Sequence, residues 1–173
     1  MNYFQRLKKA IFLDVAFYEE VEKDKKFTDQ AMMTVALVSI VQGLMIAGFA
    51  PIALLQGILG SLIRFLIWAF FIAFVGTRIL PEPETESNTG ELIRTLGFAY
   101  APGLLVVLKI VPIISAFVDP VVTILQLAAM TIAVRQALDF NSTVRAVGVC
   151  IVAFILMIIA CLLYTSDAAD DAN

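Results

Sequence analysis

Catalysis or metal binding by this chain would have to be built from very little. There is no histidine, and its two cysteines, Cys150 and Cys161, lie eleven residues apart in one apolar run, which suits neither a CxxC redox pair nor a zinc site. The simplest reading is two membrane-buried thiols. The acidic residues all fall between the long apolar stretches or at their edges, so no nucleophile and base pair can be named, and no Gly-rich phosphate loop is present. What remains is a set of polar groups inside or beside apolar sequence. Arg64, Lys109 and Asp119 form one candidate cluster. The stretch "RTLGFAYAPGLL", residues 94–105, places Gly97, Tyr100, Ala101, Pro102 and Gly103 together where a plain apolar helix has no need of them.

The elements that must position these groups follow from composition. Of 173 residues, 61% are hydrophobic and only 16% charged, against about 45–50% and 25% in soluble domains. A soluble core cannot hide that much apolar surface. Five stretches reach the roughly 20 residues needed to cross a hydrocarbon core as a helix: about 31–55, 58–80, 92–112, 120–138 and 144–164. Helices are required because every backbone group in lipid must be paired within its own segment, and the alternation of a barrel strand is absent. The short linkers make neighbouring spans antiparallel. The longest, "PEPETESNTGE" at 81–91, has nothing to bury. The expected fold is therefore an all-α integral membrane protein with a single domain over 1–160 and no internal repeat.

Orientation follows from the bases, because short loops rich in Lys and Arg stay cytoplasmic. With the N-terminus inside, that side holds Arg6, Lys8, Lys9, Lys23, Lys25, Lys26, Arg78, Arg94, Arg135 and Arg145, and the other holds only Arg64 and Lys109. The expectation is a cell membrane protein, in the bacterial inner membrane, with its N-terminus cytoplasmic and its C-terminus outside. The Asn141-Ser142-Thr143 sequon then faces inward and is not a glycan site. The first 26 residues contain no apolar core long enough for a signal peptide. Instead Phe4, Leu7, Ile11, Val15, Tyr18 and Val21 recur at helical spacing, which predicts an amphipathic interfacial helix over 2–22 with Phe4, Leu7, Ile11 and Val15 toward lipid. At the other end, "CLLYTSDAAD" (161–170) resembles translated adaptor sequence, so 161–173 is expected to be a non-native tail.

The order of these features resembles the Yip family (Ypt- or Rab-interacting membrane proteins). The resemblance rests on "FLDVAFYEEV" before the first span, "DQA" leading into it, "GFAYAPGLL" in the third, "RQAL" ending the fourth and "NSTVRAVGV" entering the fifth. Family members often carry Asp-Pro where Asp14 is followed here by Val15, and the eukaryotic relatives add a long cytoplasmic arm, so the similarity is to a bacterial-type member. It implies a non-catalytic role in organising, interacting with or shaping membranes, and it points at Gly97, Tyr100 and Pro102.

Physical chemistry says what those residues do in a helix. Pro102 has no N–H for the Phe98 carbonyl and presses on it, so the helix is expected to bend there. Gly97 with Ala101, and Ala99 with Gly103, put small residues one turn apart, where a neighbouring backbone can approach. Tyr100 is one donor near the freed carbonyl. Arg64, six residues into its expected span, is about 9 Å from the interface and can snorkel, as can Lys109. Asp119 on the same side can pair with either. Gln42, Gln56 and Gln126 are modest intramembrane glue, and Trp68 is expected between helices.

Three function classes compete. An enzyme is the weakest, and no cofactor or metal is implied. A small transporter or channel needs polar groups or a broken helix near the midplane, which only the Pro102 region offers. An organising or membrane-shaping protein needs packing surfaces and a cytoplasmic face, and is the leading expectation. Its expected partners are membrane lipids and a protein on the cytoplasmic face, with self-association left open and nucleic acid not expected.

Overall fold

The computed structural model describes residues 1–48, 50–82 and 89–170, the side chains at 47, 161 and 163–170 excepted. Helix α1 (Tyr3–Ile11) begins where Asn2 and Gln5 cap each other reciprocally, the Asn2 side chain accepting from the Gln5 N–H and the Gln5 side chain from the Asn2 N–H. Asp14 then starts a second helix, α2 (Val15–Lys23): its carboxylate accepts from the Phe17 N–H at 3.2 Å and pairs with Lys9 at 3.1 Å. The single helix expected over 2–22 is therefore two, joined by a turn at 12–14 with Leu13 at φ 61°.

That turn changes which residues meet lipid. Leu7, Ala10, Phe17, Tyr18 and Val21 are buried in the same core as the long helices, while Phe4 and Phe12 are 75% and 73% exposed. Of the four residues expected to face lipid, Phe4 and Val15 are exposed, Ile11 is half-buried and Leu7 is buried. The apolar stripe is consumed mainly by protein contact: α2 packs on the helices that carry the third and fourth spans.

The long helices are α3 (Thr28–Ala47), α4 (Pro51–Phe74), α5 (Thr89–Ala99), α6 (Ser115–Ala137) and α7 (Thr143–Asp170). A π-helical turn, Val75–Ile79, extends α4, and a 3₁₀ stretch, Ala101–Ile110, extends α5. Every element among the described residues is helical, and five are long and apolar enough to cross a membrane: Lys25–Ile46, Pro51–Ile79, Thr89–Ile110, Ser115–Ala137 and Thr143–Ala160. The chain is an all-α multi-pass membrane protein. Its tail continues α7 as helical backbone to Asp170, while the other features of 161–173 lie largely outside the described residues.

One boundary matters for function. The first long helix stops at Gly48 (φ 63°) and Pro51 opens the next, so the second span begins at 51 where 58 is expected. Pro51 at the first helical turn outweighs the continuous apolar run that hides the break. Arg64 thereby moves from near an end to the middle of a 29-residue span, about 20 Å of rise from Pro51.

Packing places α3 against α4, α5 and the 3₁₀ stretch, α6 against α5 and the 3₁₀ stretch, and α7 against both α4 and α6. At one end, Arg145 pairs with Glu82 at 3.3 Å and donates to the Pro81 carbonyl at 2.8 Å, tying the segment after α4 to the start of α7. The α1–α2 layer caps this same end through its contacts with α5 and α6.

Candidate functional site

The segment 94–105 lies at the centre of the bundle. Pro102 does not simply kink its helix: the α-helix stops at Ala99, and the backbone tightens into a 3₁₀ stretch in which the Gly103 N–H donates to the Tyr100 carbonyl at 2.9 Å. The tighter winding has a geometric consequence. Three α steps of about 100° and three 3₁₀ steps of about 120° bring Gly103 within roughly 60° of the Gly97 direction, whereas uninterrupted α-helix leaves them about 120° apart. Both glycines accordingly meet α3. A Cβ on Gly97 would lie 2.9 Å from the Ala31 Cβ and 3.1 Å from its carbonyl oxygen. A Cβ on Gly103 would lie 2.8 Å from Val38 and 2.9 Å from the Gln42 amide. Ala99, Ala101 and Pro102 are buried beside them.

Tyr100 does not meet the freed Phe98 carbonyl. Its ring turns to α4, edge-on to Phe65 with centroids 5.1 Å apart. On the α1–α2 side, Phe98 stacks edge-on with Phe17 at 5.1 Å and Phe27 at 6.2 Å, and the Arg6 guanidinium covers the Phe27 ring at 4.6 Å. This aromatic group seals that end of the bundle.

Beyond Tyr100 a crevice of about 440 Å³ opens between α4 and α6, which α7 bridges. Its polar lining comes from three helices and one junction: Gln42 on α3, Ser61, Arg64 and Trp68 on α4, Thr123 with Gln126 on α6, and Tyr100 between α5 and the 3₁₀ stretch. Leu127, Met130, Phe154 and Met157 supply the apolar wall. Trp68 is buried as expected, edge-on to Phe154, but its indole N–H has no hydrogen-bond partner. The expected cluster of Arg64, Lys109 and Asp119 divides. Lys109 and Asp119 form an ion pair at 2.8 Å, and Arg64, an exposed residue, lines the crevice with no ion pair among the described residues. Comparison with protein-family models, with curated proteins and with solved structures finds no match to this chain.

The convergence on this crevice is not evident in one dimension. Gln42, Gln126 and Arg64 are each unremarkable alone, and only the break at 48–51 sets Arg64 at the level of the two amides. The signal available in the sequence is a charge in mid-span, visible only when Pro51 is taken as the helix start.

A second arrangement also escapes the sequence. Arg94, in the middle of α5, is 3% exposed; its Nε donates to the Val21 carbonyl at 3.1 Å and a terminal nitrogen donates to the Glu22 carbonyl. These are carbonyls of the last turn of α2, which lack helical partners and carry the negative end of the helix dipole. The Glu22 carboxyl beside them is pushed up to about 7, first by burial and then by the nearby Asp139, Glu91 and Glu19 carboxylates, with Lys23 acting the other way. A folded-state value above the unfolded one means that the native protein holds the proton more tightly. Stability is therefore highest below the unfolded value near 4.5 and falls as pH rises toward 7. The expected result is a melting temperature that drops between pH 5 and 8 in the parent and drops less in Glu22→Gln; equal slopes would remove Glu22 as the cause.

Proposed function

We propose that the chain is a bacterial inner-membrane protein with a non-catalytic organising or membrane-shaping role of the kind the Yip resemblance implies, its N-terminus cytoplasmic and its C-terminus outside. The observation that carries this reading is the α1–α2 layer. Its inner side is fused to the bundle through Leu7, Ala10, Phe17, Tyr18 and Val21, and its outer side holds exposed Phe4 and Phe12 with Lys8 over the Phe12 ring at 6.0 Å. Tyr3 bonds Thr34 at 3.0 Å and Arg6 bonds Gln30 at 2.7 Å, so α1 lies beside the first turns of α3, at headgroup depth if α3 starts at the interface. Two rings held rigidly at that depth in one leaflet, flanked by lysines that attract anionic lipid, displace headgroups without a matching displacement opposite. The ten bases on the α1–α2 side of the spans support the cytoplasmic assignment.

The test is reconstitution of the full chain into vesicles of phosphatidylethanolamine and phosphatidylglycerol. The parent is expected to lower mean vesicle diameter, and Phe4→Ser with Phe12→Ser to lose most of that effect at unchanged melting temperature, since both rings are exposed. Remodelling by the double variant equal to the parent's would overturn the reading. The polar crevice supports a second one, a small transporter or channel with its site beside the Pro102 change of helix type. A saturable anion flux in the same vesicles, lost in Arg64→Gln, would favour it.

A further inference from the structure

We propose that the crevice between α4 and α6 is a binding site for an anionic amphiphile, with an oxyanion head on Arg64 and a hydrocarbon body along Met130, Phe154 and Met157. Every group at the polar end offers a donor: the Arg64 guanidinium, the Gln42 and Gln126 amides, and the unpartnered Trp68 indole N–H, with no carboxylate in the lining. A fixed positive charge with amide, hydroxyl and indole donors around it and no carboxylate opposite suits an oxygen anion, and a guanidinium presents it a planar fork. Isolated in mid-span, a cation is costly, and Arg64 has no ion pair among the described residues, Asp119 being paired with Lys109. A bound anion supplies the missing countercharge.

The rest of the crevice says what carries that anion. Leu127 and Phe154 on its wall are 57% and 51% exposed in the middle of their helices, where the surroundings are acyl chains, so the mouth opens sideways to lipid. On the α1–α2 side the bundle is closed by the edge-on rings of Phe17, Phe27 and Phe98. The volume of about 440 Å³ falls within the usual range for small-molecule sites, about 300–1,000 Å³. The ligand thus enters from the bilayer, head first, which selects a fatty carboxylate or the phosphate of a single-headed lipid over a water-soluble ion. The absence of a side chain at Gly103 makes the space in which the Gln42 amide sits, so the 3₁₀ stretch is part of the site's construction.

Trp68 is the chain's single tryptophan and lines the crevice, so its fluorescence reports occupancy directly. The experiment titrates the full-length protein in neutral detergent with a brominated stearate, its methyl ester and a brominated phosphatidate. Saturable quenching by the acids and weak, unsaturable quenching by the ester are expected. Arg64→Gln should weaken acid binding about tenfold, the loss of one charged contact, while Arg64→Lys stays within about threefold. Tighter binding of stearate or of phosphatidate identifies the head as carboxylate or phosphate, and either supports the site. Equal, saturable quenching by acid and ester overturns it without need of any variant, as does undiminished acid binding by Arg64→Gln.

Discussion

Replacing Gly97 by Leu is expected to lower stability by about 3 kcal/mol or more, read as a large fall in melting temperature in detergent and poor recovery of folded protein. The cause is specific. Already the first added carbon would sit 2.9 Å from the Ala31 Cβ and 3.1 Å from the Ala31 carbonyl oxygen, and backbone cannot swing aside as a side chain can. Three further heavy atoms push α5 off α3 where the two backbones approach closely. Gly97→Ala should cost much less, and Ala31→Gly in the same chain should recover part of that cost, because the two residues share one contact. Pro102→Ala should remain within about 1 kcal/mol of the parent: it offers an N–H to the Phe98 carbonyl but favours an α winding that turns Gly103 away from Val38 and Gln42. Melting of Gly97→Leu at the parent's temperature would show that α3 and α5 are held by other contacts.

The contrast between these glycines and Arg64 shows what a sequence carries here. Five spans are legible because hydrocarbon imposes length and composition on any helix that crosses it, and a stretch such as 120–138 leaves little else to infer. Gly97 and Pro102 are legible as a packing centre because small residues and a missing donor have one-dimensional signatures. The 3₁₀ winding that turns Gly103 onto α3 is not, since it depends on what the neighbouring helix accepts. The position of Arg64 fails for a different reason. The run 31–80 carries no charge before Arg64 and no acid at all, so hydropathy alone sets its division arbitrarily, and seven residues of error carry that charge from the interface to mid-span. The N-terminal stripe was visible, but amphipathicity states only that a face is covered and cannot distinguish protein from lipid as the cover. Asp14 made the difference by capping a second helix.

Arg94→Met provides the sharpest test of how that N-terminal layer is held. Methionine fills much of the same space but leaves the Val21 and Glu22 carbonyls without the donors that Arg94 now gives them, at the end of a helix where nothing within α2 can replace them. The expected loss is about 3 kcal/mol, in the range for removing one partner of a buried charged contact. Arg94→Lys should fall between, because an ammonium is a point charge and lacks the guanidinium fork that reaches two carbonyls at once. The damage should also be local. The spans keep their own packing, so hydrogen exchange is expected to rise across 15–27 while residues of α6 and α7 remain protected. With α2 loosened, Phe17, Tyr18 and Val21 leave the core, and α1 loses the floor that fixes the height of Phe4 and Phe12. Arg94→Met should therefore reduce vesicle remodelling even though both exposed rings are intact, whereas acid binding in the crevice, more than a helical turn away past Phe98 and Tyr100, should stay near the parent's. Loss of both together would mean that the variant unfolds globally, and unchanged exchange across 15–27 would mean that Arg94 is not the clamp its hydrogen bonds describe.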